Sequence, residues 1–407
     1  MPSTALAGIR VLDLSRVLAG PLAAQMLGDL GAEVIKVERP GTGDDARTYG
    51  PPFLADRSGR PTDTAAFYLA CNRNKRSITV DLSTARGQEI IRRLVAECDV
   101  VVENFRTGTL AKYGLDYAGL REVNPRLVYL SITGFGQTGP YADRPGYDGI
   151  FQAMSGMMSA SGHPEEPMKA GISIVDILTS LYATTAVLAA LRHRDQGGGR
   201  GEGQHIDLSL LDCGLASLSH FAMNYLVSGE VPRRRGNGGF GGVPSQAFRC
   251  ADQRLLFLVA GNDRQFRAFC AAAGRGDLPR DPRFADTPGR ISHREALLAI
   301  LREVFLGKTR EEWLSLLDEH DVPAGPVNEL PQVIADPQVR HREMIVEVED
   351  EEAGTFSMPA NPIRLSATPV RRYAPPPRLG EHTEEVLGRL AGLTAEQVAE
   401  LREHGVV

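Results

Sequence analysis

Between residues 9 and 38, two apolar runs flank a helix-length segment closed by glycine: IRVLDL (9–14), PLAAQMLGDLG (21–31) and EVIKVE (33–38). Two strands joined through a helix pair in parallel with a right-handed crossover, so this opening commits the chain to an α/β sheet. The pattern recurs downstream. SITVDL (77–82) reads as a strand, Ser83 stands where a helix N-cap belongs, and a helix is expected through Glu97. Residues 100–103 (VVVE) and 127–132 (LVYLSI) read as further strands. The expected fold class is α/β with a doubly wound large sheet.

Beyond Pro145 the pattern becomes helix-rich to about residue 230, with a long helix near 174–193 and a glycine-rich turn at 197–203 between a helix and a strand. Residues 233–242 (RRRGNGGFGG) read as a boundary or a mobile loop. Residues 243–330 look like a smaller mixed unit with a strand at 255–260 and helices near 263–273 and 294–306. A proline-rich stretch, 373–378, precedes a helical tail. At 407 residues the chain carries two to three domains' worth of sequence.

Charge and cysteine usage exclude several function classes. A net charge of −6 argues against a general nucleic-acid or anionic-membrane binder, although a local basic patch can still hold one anion. The apolar stretch 174–191 contains Asp176, Thr179, Ser180, Thr184 and Thr185, which suits a buried helix better than a membrane span. The five cysteines (71, 98, 213, 250, 270) form no C-x-x-C pair and read as reduced thiols, pointing to a cytoplasmic compartment. No secretory signal is expected at residues 1–6. The nine histidines make no H-x-x-x-H, so no metal site is expected, and G-x-S-x-G is absent.

Three local features point toward chemistry, each with a plainer alternative. GFGQTG (134–139) matches the dinucleotide fingerprint, but Pro140 and Pro145 follow, so the motif opens a loop and not the helix that a pyrophosphate needs. Arg39 follows the second strand, at the sheet edge where open α/β folds bind ligands; it is equally readable as a surface charge. Asp176 lies among Ile174, Val175, Ile177 and Leu178 near a helix start. Free N–H groups and the helix dipole would keep it ionised though poorly hydrated, which suits a nucleophile. The plainer alternative is a first-turn acid that only supports the helix.

Blocks along nearly the whole chain then converge on one resemblance. They are VLDLSRVLAGP (11–21), LGAEVIKVERP (30–40), NKRS (74–77), VENF (102–105), GFG (134–136), AGPV (324–327) and LGEH (379–382). In this order they resemble the class III CoA-transferases, a family that also includes the α-methylacyl-CoA racemases. The resemblance implies a Rossmann-like large domain built from both chain ends (1–224 and 331–407), a small α+β domain at 225–330, and a homodimer of interlocked rings. The implied partners are acyl-CoA and small carboxylic acids. Coenzyme A enters as substrate, with no permanently bound cofactor, no metal, no nucleic acid and no membrane.

The same resemblance makes Asp176 the nucleophile. It would attack a donor thioester, pass through a mixed anhydride, and become an aspartyl-CoA thioester that the acceptor acid resolves. CoA contacts would fall on Leu18, Ala19, Arg39, Val80, Leu82, Asn104, Phe105, Arg106, Lys112, Tyr147 and Asp148. Gly238, Gly239, Gly241 and Gly242 would form an active-site loop that excludes water. Racemases of the family place a histidine where this chain has Tyr147, and tyrosine exchanges a Cα proton poorly near neutral pH, so transfer is favoured over racemisation. A catalytically idle CoA-binding protein is a third alternative, disfavoured by the presence of Asp176. GDDARTYGPPF (43–53), LSH (218–220), NYL (224–226) and VPSQAF (243–248) resemble the glutarate-type succinyl-CoA transferases of the family. A dicarboxylate acceptor needs a cation for its distal carboxylate, and Arg47 and Arg235 are the candidates.

Overall fold

The computed structural model describes residues 4–196, 201–239 and 241–407. The turn expected at 197–203 therefore lies mostly outside the described residues, as does Phe240 of the glycine stretch. The chain divides into two compact units: 1–157 with 170–229 and 340–407, and 158–169 with 230–339.

The first unit is built on six parallel strands: β1 (Arg10–Asp13), β2 (Glu33–Glu38), β3 (Lys75–Thr79), β4 (Val100–Glu103), β5 (Val128–Thr133) and β6 (His205–Ser209). Their spatial order is β3-β2-β1-β4-β5-β6. The direction of winding reverses between β1 and β4, and a crevice opens there at the carboxyl edge. Alternation along the strands explains why both faces are covered. Leu12, Ile35 and Val101 point into one core, while Val11, Val34 and Val100 point into the other.

The first of these cores packs helix α2 (Ala85–Ala96) and the chain's last two helices through Ile90, Ile91, Leu94, Val386, Leu387, Val398 and Leu401. Its N-cap is Thr84, whose hydroxyl accepts from Gly87 N at 3.0 Å, and not Ser83. Ser83 instead donates to Asp81 at 2.7 Å, closing the turn before the helix. The second core packs α1 (Ala19–Asp29), α4 (Ile174–Asp195) and α5 (Leu210–Ala216) through Ala23, Leu27, Val175, Ala183, Val187 and Leu210. Between them in sequence lies α3 (Asp148–Met154). Helix α4 is long and apolar enough to cross a membrane by length and composition alone. Two of its polar positions are accommodated inside the fold: buried Ser180 Oγ donates to Ala19 O at 2.8 Å, and buried Thr184 Oγ1 to Ser180 O at 2.9 Å.

The second unit has a three-stranded antiparallel sheet, β7 (Ser245–Arg249), β8 (Leu255–Val259) and β9 (Ala324–Pro326), with β8 central. Its core is aromatic. Phe248 stacks on Phe305 with ring centroids 4.5 Å apart, and Trp313 Nε1 donates to Phe305 O at 2.9 Å.

Candidate active site

At the crevice of the first unit, the carboxyl ends of β1, β2 and β4 and the segment after β3 enclose a cavity of about 560 Å³. Its lining includes Arg39, Val80, Leu82, Phe105 and Arg106, five of the residues expected to meet CoA. The lining mixes polar and apolar side chains, and Arg39 and Arg106 are exposed. Arg16 lies over the Phe105 ring, 5.3 Å from its centroid. Lys112 sits in the nearby 3₁₀ turn Leu110–Tyr113 and is exposed, but it is not among the cavity's lining residues.

Leu18 precedes and Ala19 opens α1, immediately after a tightly held turn. Asn104 grips this turn through both backbone groups of Arg16: its Oδ1 accepts from Arg16 N at 2.8 Å, and its Nδ2 donates to Arg16 O at 2.7 Å. Asn104 thus acts through the turn. Gly20 packs so closely that a Cβ there would stand 2.4 Å from Ser15 Cβ.

Asp176 lies in the first turn of α4, part-buried. The N–H groups expected to stabilise its charge are already engaged. Asp148 Oδ1 accepts from Val175 N at 2.8 Å and from Asp176 N at 3.2 Å. Asp148 is oriented in turn by Gln152, whose Nε2 donates to its Oδ2 at 2.5 Å. Burial, followed by the neighbouring Asp148 carboxylate, pushes the Asp176 carboxyl up to about 7. The N–H groups of the helix terminus therefore serve Asp148, and burial favours the protonated form of Asp176. Tyr147, at the start of this segment, is 72% exposed.

Arg47 does not fit a substrate clamp. It is buried; its Nε and Nη2 donate to Glu38 at 2.8 and 2.7 Å, and Nη2 also reaches Tyr68 Oη and Pro377 O. Its guanidinium lies 3.9 Å from the Tyr68 ring centroid. The sequence showed a cation near the site, but not that the preceding strand supplies its partner.

The glycine stretch and Arg235 belong to the second unit. Arg235 is exposed, and its Nη1 approaches Gly239 O at 3.4 Å. Gly241 is exposed as well. Gly242 serves close packing, because a Cβ there would lie 2.2 Å from Gly261 O; one at Gly238 would come closest to the flexible end of the Arg294 side chain. The stretch is anchored at its far end by fully buried Arg290, whose Nε donates to Val243 O at 2.9 Å.

Sequence reasoning missed two groups at the crevice. One is the buried charge network of Asp13, Lys36, Asp44 and Lys75. Its signal was a charged residue inside otherwise apolar runs, IRVLDL and EVIKVE. The other is Glu103 at the end of β4, where burial pushes the carboxyl up to about 7 even though Ser131 and Phe105 N bond to it. Among the described residues no group of His, Cys, Asp and Glu is arranged to hold a metal.

The sequence pattern of the family described as CoA-transferase family III matches residues 6–383. The chain belongs to that family. Among CoA-transferase family III relatives, it is 48% identical over 386 residues to the succinate–glutarate CoA-transferase of Agrobacterium fabrum, covering 95% of each chain. It is 41% identical to the human succinyl-CoA:glutarate CoA-transferase, covering 99% of this chain and 90% of that one. A solved structure of a CaiB/BaiF family protein from Brucella suis superposes with a TM-score of 0.84 at 44% identity, covering 95% of this chain and 99% of that one.

Proposed function

We propose that this enzyme transfers CoA from succinyl-CoA to glutarate or a closely related dicarboxylate, with Asp176 as the covalent carrier. The observation that carries the reading is a part-buried carboxyl on the first turn of α4, set beside Asp148, which takes the helix's free N–H groups; burial there raises its proton affinity. The names of the two transferase relatives support the substrate pair.

The chemistry follows from the carboxylate. Ionised Asp176 attacks the succinyl thioester carbonyl; a C–O bond forms, the C–S bond breaks, and CoA thiolate leaves a mixed anhydride. The thiolate then attacks the aspartyl carbonyl of that anhydride, releasing succinate and forming an aspartyl-CoA thioester. Glutarate attacks this thioester and expels the thiolate, which returns to the glutaryl carbonyl and frees Asp176. Each step exchanges one acyl bond for another, so thioester energy is not lost to water. The poor hydration that raises the Asp176 proton affinity also makes its ionised form more nucleophilic. Coenzyme A is substrate throughout, and no resident cofactor is needed.

The CoA nucleotide end is assigned to Arg39, Arg106 and Lys112, and the pantetheine path to Leu18, Ala19, Val80, Leu82 and Phe105. Gly238, Gly239, Gly241 and Gly242 keep the role of a water-excluding loop in this proposal, and Arg235 that of the cation for a distal carboxylate. Tyr147 in place of a histidine supports transfer over racemisation. The active form is assigned as an interlocked homodimer in the cytoplasm. Support for a second copy comes from exposed apolar side chains in the first unit, among them Leu215, Met223, Leu226 and Val227.

The test is incubation with succinyl-CoA and a dicarboxylate panel, with acyl-CoA products identified by mass, beside Asp176→Ala. Glutaryl-CoA formation by the wild type alone, with CoA binding kept by the variant, supports the reading. Turnover by Asp176→Ala would end the role of Asp176.

A further inference from the structure

The turn from Ser15 to Val17 is held in an unfavourable shape by side chains from elsewhere in the first unit. Val17 has φ 70°, a left-handed conformation that a β-branched residue rarely adopts. Its N–H donates to Asp44 Oδ1 at 3.0 Å, and that carboxylate also accepts from Ala46 N at 2.9 Å. Lys36, wholly buried, donates to Asp44 Oδ2 at 2.8 Å and to Ser15 O at 3.0 Å. One ion pair thus ties the carbonyl before Arg16 and the N–H after it. Asn104 holds Arg16 itself, and Ser15 N donates to Asp13 Oδ1 at 3.0 Å.

Lys36, Asp44 and Arg16 also line the crevice cavity beside Arg39 and Phe105. Two charges buried this completely offer little net stability over apolar residues of the same volume. What they supply is geometry: a lysine ammonium and a carboxylate satisfy, at once, a carbonyl and an N–H that no secondary structure pairs.

We propose that the buried Lys36–Asp44 pair is a positioning device that presets the Ser15–Val17 turn for acyl-CoA. The inference rests on the CoA-transferase reading of the crevice. Its energetic logic is preorganisation: the turn's strain is met on folding, so binding does not have to order it.

The experiment measures CoA affinity by calorimetry, with thermal melts on the same samples. In Lys36→Met/Asp44→Leu both charges go together, and no buried charge is left unpaired. In Lys36→Met/Asp44→Asn the amide oxygen still accepts from Val17 N. The expected order of CoA Kd is wild type, then Met/Asn, then Met/Leu, with Met/Leu weakened about tenfold or more. Val17→Gly keeps the ion pair and relieves the left-handed strain, so its CoA Kd is expected to stay within about twofold of wild type, and a loss of about tenfold there would overturn the proposal. Lys36→Met/Asp44→Asn keeps an acceptor for Val17 N and keeps the proposal testable if Met/Leu fails to fold. A merely structural role predicts lowered Tm with Kd unchanged in the double variants, and that result would overturn the proposal. Wild-type protein that binds no CoA refutes the crevice reading itself and this inference with it.

Discussion

Asp176 is governed by what surrounds its carboxyl. In the proposed mechanism its ionised form attacks the thioester, so turnover is expected to fall about tenfold per unit below a midpoint near pH 7 and to level off above it. A kcat/KM profile from pH 5 to 9 checks this. A limb near pH 4 would show a carboxyl that burial does not perturb. The same shift has a stability consequence. Below pH 3.8 the carboxyl is protonated in both folded and unfolded chains. Between pH 3.8 and about 7 only the unfolded chain is ionised, so stability falls as pH rises through that window. Asp176→Asn removes this cost. It is expected to be more stable than wild type by about 1–3 kcal/mol at pH 8, with the gain fading by pH 4, while transfer is lost. Thermal melts at the two pH values check it.

At the scale of an element, α4 begins on a carboxylate borrowed from α3. Asp148 caps the first turn and stands beside Asp176, so one substitution separates two effects. Asp148→Asn keeps an acceptor but removes the charge. The midpoint of the pH profile is expected to move down by less than about one unit, because a like charge no longer opposes ionisation. Asp148→Ala removes the cap as well and is expected to cost about 1 kcal/mol of stability. Denaturant melts read the second effect and kinetics the first. The helix was legible in the sequence from its apolar run and its acid near the start. The cap was not, because the carboxylate that accepts from its N–H groups lies 27 positions away.

Across the whole molecule, the first unit is closed by contacts between distant parts of the chain. Arg47 joins Glu38 at the end of β2 to Pro377 O, 330 positions away. Arg47→Ala leaves Glu38 buried without its cation and is expected to cost about 3–5 kcal/mol, seen as a lowered denaturation midpoint. In the folded fraction the glutarate KM should stay within twofold of wild type; a large rise would return Arg47 to substrate binding. The proposed dimer is tested at the exposed apolar side chains. Leu226→Glu with Val227→Glu, at positions 72% and 79% exposed in one chain, is expected to shift mass in light scattering from dimer to monomer. A dimer that survives would place the interface elsewhere.

Periodicity alone determined the parallel α/β sheet, because a strand–helix–strand run in so few residues admits one pairing and one hand. The aspartate at the start of α4 was likewise visible as a charge among apolar neighbours, and the family blocks gave it a role. Only the tertiary structure decided which charges are buried struts. Lys36, Asp44, Glu38 and Arg47 are near one another in sequence, but composition gives the same charges to a solvated surface loop. Their burial, and hence their pairing, depends on strands, the turn before α1 and the C-terminal segment arriving together. The proton affinity of Asp176 was undecidable for the same reason: it depends on whether its helix's free N–H groups serve Asp176 or a carboxylate from another element.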